Sequence, residues 1–107
     1  MRPDLEIIQK WIEPESRVLD LGCGDGTLLT LLKEAKRVES IGLEIDAANI
    51  QQCIKNGVNV IEQNLDKGLS NFETDSFDTV VLTQTLQALS SPDELIDEML
   101  RIGKRGI

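Results

Sequence analysis

A chain of 107 residues allows one domain with one core, and its 40% hydrophobic and 28% charged residues are an ordinary globular mixture whose longest apolar run, Val80-Val81-Leu82, is far short of a membrane span of about 20 residues. A formal charge of −8, from 11 basic and 19 acidic residues, argues against nucleic acid as a partner, because affinity for phosphate backbones comes largely from lysine and arginine. The sequence holds no histidine and no tyrosine, which excludes a Ser-His-Asp triad, a histidine general base and a histidine-rich metal site within it.

Pro3 suits a first helical position, and Leu5, Ile8 and Ile12, with Ile7 and Trp11 beside them, form an apolar stripe at helical spacing that Pro14 closes. No apolar signal core precedes this helix, so secretion is not expected. Cys23 and Cys53 lack CxxC spacing and read as reduced thiols of a cytoplasmic protein. Residues 17–21 read as a short buried strand. A helix begins near Gly26, with Leu28, Leu29, Leu31, Leu32 and Ala35 on one broad face. A second strand is predicted over 38–43. Asp46 is placed to cap a third helix, in which Ile50, Cys53 and Ile54 share a face and Gly57 takes the left-handed position after the end.

Short strands follow over 58–61 and 77–83, the latter centred on Thr79-Val-Val-Leu82. Ser91-Pro-Asp-Glu94 carries the marks of a capping box with proline at the first helical position. Leu95, Ile96, Met99, Leu100 and Ile102 make that helix's apolar face, and Gly103 stops it. Strands alternating with helices predict an α/β domain with a mostly parallel sheet covered on both faces. The acids Asp66, Glu73, Asp75 and Asp78 fall in a polar stretch and read as solvated charge.

The chemistry concentrates at the end of the first strand. Asp20-Leu-Gly22-Cys-Gly24-Asp-Gly26 places a tight glycine turn between a strand and a helix, where backbone can approach a ligand closely and unpaired N–H groups face it. In an open α/β sheet the ligand crevice lies at this end of the strands. The dinucleotide fingerprint G-x-G-x-x-G would need its third glycine at Thr27, whereas here it comes one residue early. Asp20 and Asp25 flank the turn, and their charge disfavours a pyrophosphate while tolerating a cationic ligand such as S-adenosylmethionine (SAM). About twenty residues on, Gly42-Leu-Glu44 ends the second strand, and the Glu44 carboxylate there can accept two hydrogen bonds from ribose hydroxyls. As alternatives, Glu44 is a solvated loop acid or a cap of the following helix, for which Asp46 is better placed.

These motifs resemble the class I SAM-dependent methyltransferases: Val18-Leu-Asp-Leu-Gly-Cys-Gly-Asp-Gly26 their first motif, the segment 41–46 their acidic ribose motif, and Ser76-Phe-Asp-Thr-Val-Val-Leu82 the approach to their fourth strand. The resemblance implies a Rossmann-like three-layer α/β/α fold in which Asp20, Gly22 and Gly24 line the methionine portion of SAM and Glu44 binds its ribose. It also sets Cys23, Gly26, Ile45, Leu65 and Thr83 around the cofactor. The family's aspartate near the adenine amino group is replaced by Asn64, whose amide oxygen is an uncharged acceptor.

Met1-Arg-Pro-Asp-Leu5, Gly57-Val-Asn-Val60, Leu65-Asp66 and Leu82-Thr-Gln-Thr-Leu-Gln-Ala88 narrow the resemblance to the MetW family of methionine biosynthesis. That family implies homoserine O-acyltransferase as partner, with S-adenosylhomocysteine as the product of any methyl transfer. Set against that fold, residues 1–107 are expected to be a single domain truncated at its C-terminal end, about four mostly parallel strands of the N-terminal half. A fifth strand should begin at 103–107, and a fourth strand left as a bare edge would invite homo-oligomers. Two readings stay open. One is a SAM-binding, non-catalytic module that supports the acyltransferase; the other is an active small-molecule methyltransferase. No catalytic residue and no metal ligand is assigned, and no general base is evident near Thr83 and Gln84.

Overall fold

A computed structural model describes residues 3–82 and 89–107. The elements run α1 (Pro3–Trp11), β1 (Arg17–Leu21), α2 (Thr27–Lys36), β2 (Glu39–Glu44), α3 (Ala47–Lys55), β3 (Val60–Glu62), a 3₁₀ turn (Leu65–Lys67), β4 (Phe77–Val81), α4 (Pro92–Ile102) and β5 (Gly103–Gly106). All five strands pair in parallel in the order β3-β2-β1-β4-β5. Both faces are covered, giving the three layers that the motif order implied.

The two faces of the sheet have separate cores because strand side chains alternate. Val18 and Val81 point to the layer of α1, α2 and α3, meeting Leu5, Ile8, Ile12, Leu28, Leu29, Leu32 and Cys53. Leu19, Leu21, Leu43 and Val80 point the other way, onto Leu65, Leu69 and the Leu95, Met99 and Ile102 face of α4. Ile7 and Trp11, expected beside the α1 stripe, are largely exposed, as are Ile54 and Leu100. Apolar stripes read from spacing run wider than the faces that are buried.

The fifth strand does form. Gly103 is extended and passes directly from α4 into β5, and Ile107 exchanges hydrogen bonds with Val80 and Leu82 of the β4 segment. The bare edge therefore belongs to β5 and not to β4, which removes the basis for expecting oligomers through β4. Near Gly103 a Cβ would lie 2.5 Å from a Val80 methyl, so glycine allows the close approach. Asp46 caps α3 as expected, accepting the Asn49 N–H at 2.9 Å, and Gly57 has φ 73°. Ser91 begins α4 without a side-chain cap, so proline at the first turn remains the working start signal there. No helix among the described residues is long and apolar enough to cross a membrane.

Candidate functional site

Strand order reverses between β1 and β4, and at such a switch point the connections leave to opposite faces and open a crevice at the carboxyl ends. The connection from β1 to α2 is the glycine loop. Gly22, Gly24 and Gly26 have φ of 74°, 60° and 87°, the left-handed region in which side chains are strained. Gly26 has no room for a side chain either, because a Cβ would meet Val58 Cγ2 at 3.0 Å and Cys53 Sγ at 3.1 Å. Gly24 differs: nothing lies within 4 Å of its missing Cβ. The loop is packed below Gly26 and open above Gly24.

The end of β2 holds this loop in place. The Leu43 carbonyl accepts the N–H groups of Gly22 and Cys23 at 2.8 and 3.0 Å. Glu44 Oε1 accepts the Gly24 N–H at 2.8 Å, while Oε2 accepts those of Ile45 and Asp46 at 3.1 and 3.0 Å. Glu44 is thus neither a solvated acid nor a helix cap; it staples two loops together. Asp25 serves the start of α2, its Oδ1 accepting the Thr27 N–H and hydroxyl at 3.0 and 2.6 Å. One of the N–H groups that a pyrophosphate would use is therefore already engaged.

Asp20 lies beneath the loop at 2% exposure, and its Oδ1 has no hydrogen-bond partner among the described residues. Burial, with the nearby Glu44 charge second, pushes its carboxyl up to about 7. Cys23 and Cys53 are both buried free thiols, their sulfurs 3.7 Å apart, and Cys53 donates to the Gly24 carbonyl at 3.2 Å. Burial raises both thiols, most strongly Cys23.

The structure brings Asp20, Gly22, Cys23, Gly24, Gly26 and Glu44 together, with Ile45 beside them at 60% exposure. Asn64 opens the 3₁₀ turn, where its amide oxygen accepts the Asp66 N–H at 3.0 Å, and Leu65 next to it is core. Thr83 and Gln84 lie outside the described residues. Two contributors escaped the sequence reading. Gly42 leaves the space that Cys23 fills, since a Cβ there would meet Cys23 Sγ at 2.5 Å; glycine inside a strand is the general sign of such an approach. Cys53, read as core alone, also supports the loop.

The remaining charges disperse. Asp66 binds the Ser90 N–H, and Asp78 accepts the Arg17 N–H beside Lys104. Arg101 pairs with Glu98 and Arg105 reaches the Trp11 carbonyl. A cavity of about 380 Å³ between Arg17, Lys33, Glu39 and Phe77 lies at the amino ends of the strands, away from the loop.

Comparison with known proteins adds the following. The family model of methionine biosynthesis protein MetW matches residues 2–107. A bifunctional methionine biosynthesis protein MetXA/MetW of Rhodopirellula baltica is 38% identical over 112 residues, covering 97% of this chain and 18% of that protein. A SAM-dependent methyltransferase from Archaeoglobus fulgidus superposes with a TM-score of 0.83 at 27% identity, over 94% of this chain and 45% of its own. Another from Thermotoga maritima, described as a possible histamine N-methyltransferase, gives 0.74 at 26% identity, over 94% and 44%. The chain spans less than a fifth of the bifunctional relative and under half of these two structures.

Proposed function

The chain belongs to the MetW family of methionine biosynthesis proteins, and on that premise we propose that it is a SAM-binding, methyltransferase-like domain that supports homoserine O-acyltransferase. One observation carries the ligand half of this reading: the buried Asp20 oxygen without a partner among the described residues, set under a loop that is open at Gly24. Buried polar atoms are almost always paired, so an oxygen left without a partner by the described residues, beside an open loop, supports a ligand as that partner.

In this reading Asp20, Gly22, Cys23 and Gly24 form the wall against the methionine portion, with Gly26 setting the start of α2. Glu44 keeps the loop closed through its three N–H contacts and offers its remaining lone pairs to the ribose hydroxyls. Ile45, large and exposed, gives an adenine ring an apolar surface. Asn64 has a second lone pair and its amide donors for the adenine edge, with Leu65 fixing the turn behind it and Thr83 assigned by family resemblance. SAM, when bound, supplies an electrophilic methyl group on a sulfonium.

The partner half is supported by the Rhodopirellula relative, which combines MetXA and MetW in one bifunctional chain. Covalent linkage of two modules raises their effective concentration and favours association even when separate affinity is modest. A cytoplasmic setting, where thiols such as Cys23 and Cys53 stay reduced, goes with this role. A second reading, methyl transfer to a small molecule, is favoured by the likeness to the Archaeoglobus and Thermotoga methyltransferases; the lack of histidine and tyrosine in the chain weighs against base-assisted chemistry.

Calorimetry with SAM and S-adenosylhomocysteine tests the ligand, and co-purification with homoserine O-acyltransferase tests the partner. Saturable binding of either nucleoside supports the first half; a folded chain that binds neither overturns it. An acyltransferase whose activity and elution are indifferent to this chain overturns the second.

A further inference from the structure

The carboxyl of Asp20 has a second consequence, which rests on the cofactor reading above. It projects from β1, whose neighbours at that register are Gly42 of β2 and Val81 of β4, neither able to donate from a side chain. The titratable group that acts on it is Glu44 at the end of β2, and Cys23 in the loop and Cys53 on α3 are near enough to feel its charge. No lysine or arginine among the described residues offsets them, and the segment 83–88 contains no titratable side chain. Two carboxyls under one loop cannot both be charged cheaply at low dielectric. Asp20, fully buried and with no donor facing it among the described residues, is the one that holds the proton. A positive charge entering the crevice reverses that preference, because an ionised Asp20 then has a counter-ion.

We propose that Asp20 reads the charge of the ligand: uncharged in the empty site, it ionises when the cationic portion of SAM arrives, so that binding releases a proton to solvent. The proton leaves the Asp20 carboxyl and no other bond changes. The site thereby prefers ligands carrying the charged amino-acid portion over neutral nucleosides of similar shape, and its affinity rises with pH up to the point where Asp20 is ionised without ligand.

Calorimetry of the protein at pH 6 in two buffers of different ionisation enthalpy measures this directly. With Asp20 near 7 in the free protein, close to one proton is released per SAM bound at pH 6, and affinity rises about fivefold from pH 6 to pH 7 and about tenfold by pH 8, where it levels because Asp20 is then ionised without ligand. Neutral 5′-methylthioadenosine, which lacks both the sulfonium and the amino-acid portion, binds without proton release. S-adenosylhomocysteine separates the two cations: release equal to that of SAM assigns the reading to the α-ammonium group, and a smaller release assigns it to the sulfonium. Asp20→Asn abolishes the release and flattens the pH profile while keeping affinity for methylthioadenosine, a combination that a merely misfolded loop does not give. SAM binding to the unaltered protein without proton release overturns this inference and leaves the cofactor reading standing. Failure of SAM and S-adenosylhomocysteine to bind overturns both.

Discussion

Asp20 also makes a prediction for the protein without any ligand. An aspartate ordinarily ionises near 3.8, and burial moves this one to about 7 in the folded chain. Between those values the native state keeps a proton that the unfolded chain has released. Stability therefore falls as pH rises through this window; the contribution is fully present below about pH 4 and gone above about pH 7. At about 1.36 kcal/mol per tenfold difference in proton affinity, the whole effect is about 4 kcal/mol, large against the 5–15 kcal/mol typical of a domain. Asp20→Asn removes the titration and keeps the shape. The amide has its own cost of burial, but that cost is the same at every pH and cancels when two pH values are compared. Urea unfolding of both proteins at pH 5 and pH 8 is the assay. Relative to the unaltered chain, the variant gains about 3 kcal/mol between pH 5 and pH 8, the share of the effect that falls above pH 5. A difference between the two proteins that stays constant to within about 0.5 kcal/mol across that range would refute the reasoning.

Gly42→Ala drives a Cβ into Cys23 Sγ, and overpacking of this kind costs about 1–3 kcal/mol; denaturant titration should show that loss, and adding Cys23→Ala should recover part of it, with strictly additive losses counting against the contact. Glu44→Ala strips the acceptor from three backbone N–H groups, so both stability, by about 1–3 kcal/mol, and SAM affinity should drop; a melting temperature and affinity that both stay put would show that the loops do not depend on it. Burial raises both thiols, and the thiolate is the reactive form. Aromatic disulfide reagents at pH 8 should therefore label Cys23 and Cys53 only at the rate of unfolding; fast labelling of the native chain would contradict the packing around Gly24.

The parts legible in the sequence are those decided within a few residues. A strand followed by glycines at every second position and then a leucine-rich helix specifies the β1–α2 turn, and Asp46 capping α3 follows from an Asx residue three before Asn49. Glu44 was legible as important but not as a staple, because the partner that makes it one is the Gly24 N–H, in a loop twenty residues away. The strand at Gly103–Gly106 was expected only from the family resemblance and not from its own residues, for a related reason. Gly-Lys-Arg-Gly has no β propensity of its own, and what makes it a strand is the row of donors and acceptors on β4. Gly42 and Cys53 gained their roles in the same way, by meeting the loop across the layer between the sheet and α3.

The most consequential of these long-range effects is electrostatic. Sequence shows Asp20 as an acid on a turn, and an acid there reads as negative charge offered to a cationic ligand. Folding buries that acid against Glu44 and two thiols, with no cation supplied to it by the described residues. The empty loop is consequently less negative than its composition suggests, and in the proposed reading the charge that would hold SAM forms in step with binding. A site built this way discriminates through the energy of ionising one buried group. Nearly neutral nucleosides, which leave Asp20 protonated, gain nothing from the group that favours a cationic ligand.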